Sequence, residues 1–262
     1  ELTYDEYLQF HKDHYYPGNC LFYFYGNLPL ERHLDFLFEH VLKDEQRRAP
    51  VPEKALQPCF TEPRYQEVPY PVSQGEGDKT ILGINWMIHP TGCDAIALRV
   101  LDFMLMGSDA APLKYELLQS GLCKEVDSGC DVYKRQIPYL LYVEGLRAEH
   151  VEKIQELVLA AFVRIAQEGI THEMLEQALA RLELEESDLR KSKGPVGLSL
   201  LHSCAVSKLH GGACDAGLTL QEQLASLKLH LRHNPRYLSE FIQKHFIDNA
   251  HRVCVVLTPD LE

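Results

Sequence analysis

Three stretches of this chain each fall one residue short of a zinc-peptidase motif. Proteolytic zinc sites set two histidines and a glutamate on one helix, as HExxH or the inverted HxxEH, because residues i and i+4 share a face and both imidazoles can reach one metal. Residues 36–40 read FLFEH, with Phe36 where the first histidine belongs. Residues 146–150 read LRAEH, with Leu146 in that position, and residues 172–176 read HEMLE, with Glu176 in place of the second histidine. Phenylalanine and leucine cannot ligate a metal, and a glutamate substituting for histidine would make an unusual site. Glu39, Glu149 and Glu173 therefore read as solvated helix residues. His11 with His14, and His230 with His233, are spaced i, i+3, but no carboxylate or thiol accompanies either pair at a matching spacing, and they read as surface residues.

Other chemistries leave less trace. GDKT at 77–80 is similar to the end of a phosphate loop but lacks the upstream glycine and the Gly-Lys adjacency, so it reads as a turn. There is no GxSxG. The eight cysteines (20, 59, 93, 123, 130, 204, 214 and 254) form no CxxC pair, and those in apolar contexts such as HRVCVVL read as small core residues. No catalytic residue and no metal ligand is assigned from the sequence, no cofactor is expected within the segment, and substrate-binding residues are not legible. The scattered thiols point to a reducing compartment: a bacterial cytoplasm or, in a eukaryote, the mitochondrial matrix or another organelle.

The elements that would position any site follow from periodicity. Helices are expected at about 3–14, then from Pro29 through LERHLDFLFEHVL, at 94–106, 112–120, 150–168, from Thr171 onward, and at 219–232 and 235–247, with residues 198–208 set between Gly194-Pro195 and the GGACDAG loop. Strands are expected at Leu21–Tyr25, Tyr65–Pro69, 81–88, Val126–Tyr133, Pro138–Val143 and Val253–Leu257. In ILGINWMI the residues Leu82, Ile84, Trp86 and Ile88 share one face. The charged, proline-bearing stretch from Asp44 to about Pro63 has linker composition. Two strands, two helices, two strands and two helices, then further helices and a last strand, is not the alternation of a doubly wound sheet. It implies an α+β fold, a mostly antiparallel sheet with helices on one face.

Residues 6–20, EYLQFHKDHYYPGNC, return as residues 240–254, EFIQKHFIDNAHRVC, with Glu6/Glu240, Gln9/Gln243, His11/His245 and Cys20/Cys254 identical. Four identities lie within reach of chance; the shared order of helix, polar break and apolar segment is what suggests a tandem duplication. The net charge of −12 opposes a nucleic-acid face or an anionic membrane surface, both of which need clustered Lys and Arg. No apolar run approaches the ~20 residues of a membrane span.

The segments LTYDEYLQFHKDHYYPGN, YFYGNLPLERHL, APLKYELLQSGL and NPRYLSEFIQKHFIDNAHRVCVVLTPD together resemble the pitrilysin/insulinase family of zinc metallopeptidases, in its presequence protease and falcilysin branch. The resemblance implies the two-layer α/β fold shared with LuxS and the processing peptidases. It also implies a chain of four homologous domains closing as two halves around a peptide-filled chamber, with the zinc helix in the first. On that basis residues 1–29 are expected to be the tail of the first, catalytic domain, residues 30–65 a connecting helix and linker, and residues 66–262 the second, non-catalytic domain. No zinc or catalytic residue of the family has a counterpart here, and zinc is expected upstream in the parent. The implied partners are the first domain and the C-terminal half of the same chain, together with unfolded peptides, with neither nucleic acid nor membrane. Two functions stand open: a chamber-wall domain of a metalloendopeptidase, or a zinc-less scaffold related to inactive processing-peptidase and respiratory-complex subunits. One departure from the family pattern is CDVYKRQIP, which puts Lys134, Arg135 and Gln136 in a strand position and leaves that pairing open.

Overall fold

The computed structural model describes residues 2–45, 48–49, 51–52, 55–72, 80–187 and 194–260. They form two compact units. One comprises residues 1–55 and 190–218, the other residues 56–189 and 219–262. Residues 190–218, expected within the second domain, group with the first unit. The expected boundaries at residues 29 and 65 concern common descent, which compactness does not measure. Among the described residues no helix is long and apolar enough to cross a membrane.

The larger unit is built on a five-stranded sheet. Its strands are β1 (Arg64–Pro71), β2 (Thr80–Ile88), β3 (Glu125–Cys130), β4 (Ile137–Leu146) and β5 (Arg252–Asp260), in the order β1-β5-β2-β4-β3. Three of the four pairings are antiparallel and β1 with β5 is parallel, so the sheet is mostly antiparallel as expected. Alternation in β2 carries Leu82, Ile84, Trp86 and Ile88 into the core, and register sets each opposite another buried residue of β4: Leu82 on Val143, Ile84 on Leu141, Trp86 on Tyr139 and Ile88 on Ile137. Cross-strand pairing of large apolar residues on one face is what specifies that register, since a slip of one residue would turn all of them outward.

Against this face lie α3 (Asp94–Met106), α4 (Pro112–Gln119), α5 (Val151–Glu168), α6 (His172–Ser187), α8 (Leu220–His233) and α9 (Tyr237–Ile242). The helix of α5 forms because Val151, Ile154, Val158, Ala161, Phe162 and Ile165 recur at helical spacing, and all six are buried. It stops at Gly169, whose φ of +83° few other residues tolerate. Thr171 then caps α6, accepting from the Met174 amide at 3.3 Å. Trp86, Tyr139, Phe162 and Phe246 form the aromatic centre of the core, with Phe162 and Phe246 stacked at 4.6 Å and Trp86 edge-on to both.

The smaller unit contains α1 (Tyr4–His14), α2 (Leu30–Leu37) and α7 (Val196–Leu209). α1 opens with a capping box: the Glu6 amide donates to Thr3 Oγ1 at 3.3 Å and the Thr3 amide to Glu6 Oε2 at 2.8 Å. Neither α1 nor α2 buries a single residue.

Two strand expectations need correction. Leu21–Tyr25 is irregular, with no ladder partner among the described residues, whereas its repeat counterpart β5 is hydrogen-bonded on both sides by β1 and β2. Apolar composition suits a strand, but the backbone takes that form only where a neighbour can meet its N–H and C=O groups. The strand expected over Val126–Tyr133 ends at Cys130, where Asp131 turns the chain by accepting at its carbonyl from the Lys134 amide at 3.3 Å. Lys134, Arg135 and Gln136 therefore lie in the hairpin connection and not in a strand.

Candidate functional site

None of the three motif-like stretches gains a second histidine on its own helical face. Phe36 of the FLFEH stretch covers His40 with its own ring at 4.5 Å. In LRAEH, Leu146 is the buried last residue of β4 and only Ala148–His150 turns, as a single 3-10 turn, so the stretch is not helical. His172, Glu173 and Glu176 open α6 and are exposed. The histidine pairs are engaged singly. His11 stacks on Tyr15 at 4.6 Å and His14 on Phe10 at 4.0 Å, while His230 packs on Tyr237 at 4.3 Å and the His233 Nδ1 lies 2.8 Å from the Leu229 carbonyl. Of GDKT only Thr80 is described, at the start of β2. Burial pushes the Cys130 thiol up to about 12 and the Cys254 thiol up to about 11, as for inert core thiols.

What the fold does bring together is a set that sequence reading missed. Cys59, His89 and His251 place a thiol and two imidazoles so that one ligand atom from each lies within 4.8 Å of the others. Each is held at the same end of the sheet. His89 follows β2 directly, and His251 precedes β5, whose first residue Arg252 pairs with Trp86; the Met87 amide also donates to the His251 carbonyl at 2.9 Å. Antiparallel pairing of β2 with β5 thus carries two histidines 162 positions apart to one sheet end. Cys59 arrives on the proline-bearing stretch before β1, with Sγ 3.9 Å from His89 Nδ1 and 4.0 Å from its Nε2. That stretch is pinned by Gln136, which accepts from the Gln57 amide at 2.9 Å and donates to the Gln57 carbonyl at 2.8 Å.

The surroundings set the character of the set. Gln136 Nε2 lies 2.6 Å from His89 Nε2, and the amide nitrogen can only donate, so that imidazole nitrogen is the unprotonated acceptor. His251 is 4% exposed, packs on Phe60 at 4.4 Å, and its Nδ1 is buried without a hydrogen-bond partner. Burial, then His89 and the Arg64 guanidinium, lower its pKa; Arg64 itself lies over Phe60 at 3.8 Å.

A second polar cluster sits at the N-terminus of α3. Asp94 accepts from Tyr237 Oη at 2.7 Å and from the Thr91 amide and hydroxyl at 2.9 and 3.0 Å, with His245 Nε2 3.5 Å away. Burial opposes its ionisation, but His245, Tyr237 and Thr91 outweigh burial and hold the carboxyl far below the usual carboxylate range. Thr91 braces this carboxylate from the turn before α3 while Tyr237 reaches it from α9, which is the pattern of a structural tie between α3 and α9.

Residues 1–182 match the family model of the peptidase M16 inactive domain. Among curated proteins, presequence protease 1 of Arabidopsis thaliana, described as chloroplastic/mitochondrial, is 29% identical over the whole of this chain, which spans 25% of that protein. Among solved structures, a protease from Helicobacter pylori superposes with a TM-score of 0.77 at 17% identity, over 99% of this chain and 59% of that one. A peptidase M16 inactive domain from Pseudomonas fluorescens gives a TM-score of 0.71 at 19% identity, over 99% and 58% of the two chains. These structural likenesses show the fold, and the family match shows descent: the chain belongs to the M16, or pitrilysin/insulinase, family of metallopeptidases as an inactive domain of the presequence protease branch.

Proposed function

We propose that this domain is a non-catalytic wall of the chamber in which a parent zinc metalloendopeptidase degrades unfolded peptides. The observation that carries the reading is the unburied apolar surface of the smaller unit. Tyr4, Tyr7, Leu8 and Phe10 on α1 and Leu30 and Leu34 on α2 are all more than two-fifths exposed, and the two helices bury nothing. Apolar surface of that extent on a family member otherwise well packed marks contact with further parts of the parent, and the resemblance names the body of the catalytic first domain, whose tail α1 is expected to be, as the occupant. The formal charge of −12 supports attraction of basic peptides by the summed field. All eight cysteines are free, which supports a reducing compartment.

The test is made on the parent protein. An HxxEH motif is expected upstream of this segment, together with chelator-sensitive cleavage of an unfolded basic peptide and sparing of a stably folded protein. A complete parent without HxxEH, or one that holds zinc and leaves the unfolded peptide intact, would sink the enzyme reading and leave the scaffold.

A further inference from the structure

The cluster at the sheet end lies outside anything the peptidase reading uses. Its donors are one thiol and two imidazoles, the set preferred by thiophilic divalent cations and above all by zinc. From Cys59, His89 and His251 we infer a metal site in this domain, one that binds zinc independently of the catalytic zinc that the proposed function assigns to the parent. It departs from the metal-free expectation drawn from the helical motifs, because no two of its ligands are near in sequence.

Geometry and burial both support it. Zinc–sulfur bonds of about 2.3 Å and zinc–nitrogen bonds of about 2.0 Å put sulfur and nitrogen roughly 3.5 Å apart in a tetrahedron. The Cys59–His89 separations of 3.9 and 4.0 Å place the sulfur almost equidistant from the two ring nitrogens, so joining a shared cation takes a rotation of the His89 ring together with a contraction of about half an ångström. His89 Nε2 is already the lone-pair form a metal binds. A cation there takes the lone pair on which Gln136 now donates, so the Gln136 amide must swing aside and its bonds to the Gln57 backbone must adjust. His251 offers a buried ring whose Nδ1 has no partner, an arrangement costly to leave unmet. Zinc brings two positive charges close to Arg64; ionisation of Cys59, with its proton passing to solvent, supplies the offsetting negative charge. Three protein ligands leave a fourth position for water. The mechanical consequence is a clamp that fastens the stretch before β1 to the ends of β2 and β5.

The experiment titrates the full chain, under reducing conditions and after exhaustive chelation, with cobalt(II) as the spectroscopic probe and zinc(II) as the competitor. One equivalent of cobalt should give an intense thiolate-to-metal charge-transfer band that one equivalent of zinc abolishes, and zinc should raise the thermal midpoint. Cys59→Ser should remove the band and weaken zinc binding about a hundredfold or more, since even outer-shell partners of a metal site are worth about 10–100-fold. Cys59 is exposed, so this variant should keep the metal-free midpoint, and Cys214→Ser, another exposed thiol, should keep the band. His251→Ala should also lose binding, but its burial makes it the secondary test. Absence of a charge-transfer band in the wild type, or its persistence in Cys59→Ser, would overturn the site.

Discussion

Trp86 on β2 donates its indole N–H to the carbonyl of Phe246 at 3.0 Å, across 160 positions of sequence, with both residues almost wholly enclosed. The acceptor lies in the last turn of residues 243–247 that follow α9, where the helical segment ends and its final carbonyls have no partner further along the helix. One bond therefore closes the sheet onto the last helix, and it satisfies two groups that burial would otherwise leave costly.

Trp86→Phe should accordingly cost about 2–4 kcal/mol, combining the volume left by the smaller ring with the unmet Phe246 carbonyl. Urea denaturation followed by circular dichroism measures it. A change below about 0.5 kcal/mol, the range of ordinary surface substitutions, would show that the bond and the aromatic packing around it carry little of the core.

A pH dependence follows from Asp94. Its folded-state pKa is depressed, so the folded protein releases this proton more readily than the unfolded chain does. The stabilisation is present above the ordinary carboxylate value near 3.8 and is lost as pH falls from there toward the depressed value. Wild-type stability should drop steeply below about pH 4, and Asp94→Asn should be less stable at neutral pH with a shallower acid slope. Denaturant midpoints collected from pH 6 to pH 2.5 decide it, and parallel slopes for the two proteins would show that Asp94 is not the group responsible.

Much of this fold could be read from residue pattern, and the exceptions share one cause. The alternation of β2, the stripe of α5, its stop at Gly169 and the cap at Thr171 are local signals, and each element formed where its signal lay. Leu21–Tyr25 has as apolar a composition as β5, but strand formation depends on a neighbour supplied from elsewhere in the chain. Parallel pairing of β1 with β5 joins Arg64 to Val253 and leaves no trace in either segment. The Cys59, His89 and His251 set was hidden for the same reason. A search for helical ligand spacing finds pairs such as His11 and His14, which face separate partners, and passes over ligands that only strand register brings together.

Gly197 is the first-turn glycine of α7, and a Cβ added there would collide with Cδ1 of Tyr25 and come within 2.7 Å of its Cγ and 3.1 Å of its Cβ. Because the contacts reach the base of the tyrosine side chain, rotating its ring alone does not clear them. Gly197→Ala should gain about 1 kcal/mol of helix propensity yet lose about 1–3 kcal/mol to overpacking, for a net cost. In a Tyr25→Ala background the same change should become neutral or stabilising. A double-mutant cycle measures the coupling, and a stabilising Gly197→Ala in the wild-type background would show that Tyr25 does not rest on α7.

The last expectation separates the isolated domain from its parent. Leu30 and Leu34 are 56% and 52% exposed on a helix that buries nothing, so in this segment alone neither makes a packing contribution of consequence. Leu30→Ser combined with Leu34→Ser should therefore change the stability of the isolated segment by no more than about 0.5 kcal/mol per site. If α2 meets the catalytic domain in the parent, burial of each leucine there contributes about 1.5–3 kcal/mol, and the same pair of changes should destabilise the parent severalfold more. Thermal unfolding of the two forms, with and without the substitutions, gives the comparison directly. Equal and small effects in both would mean that this apolar face stays open in the assembled enzyme, and the chamber-wall arrangement proposed here would lose its principal support.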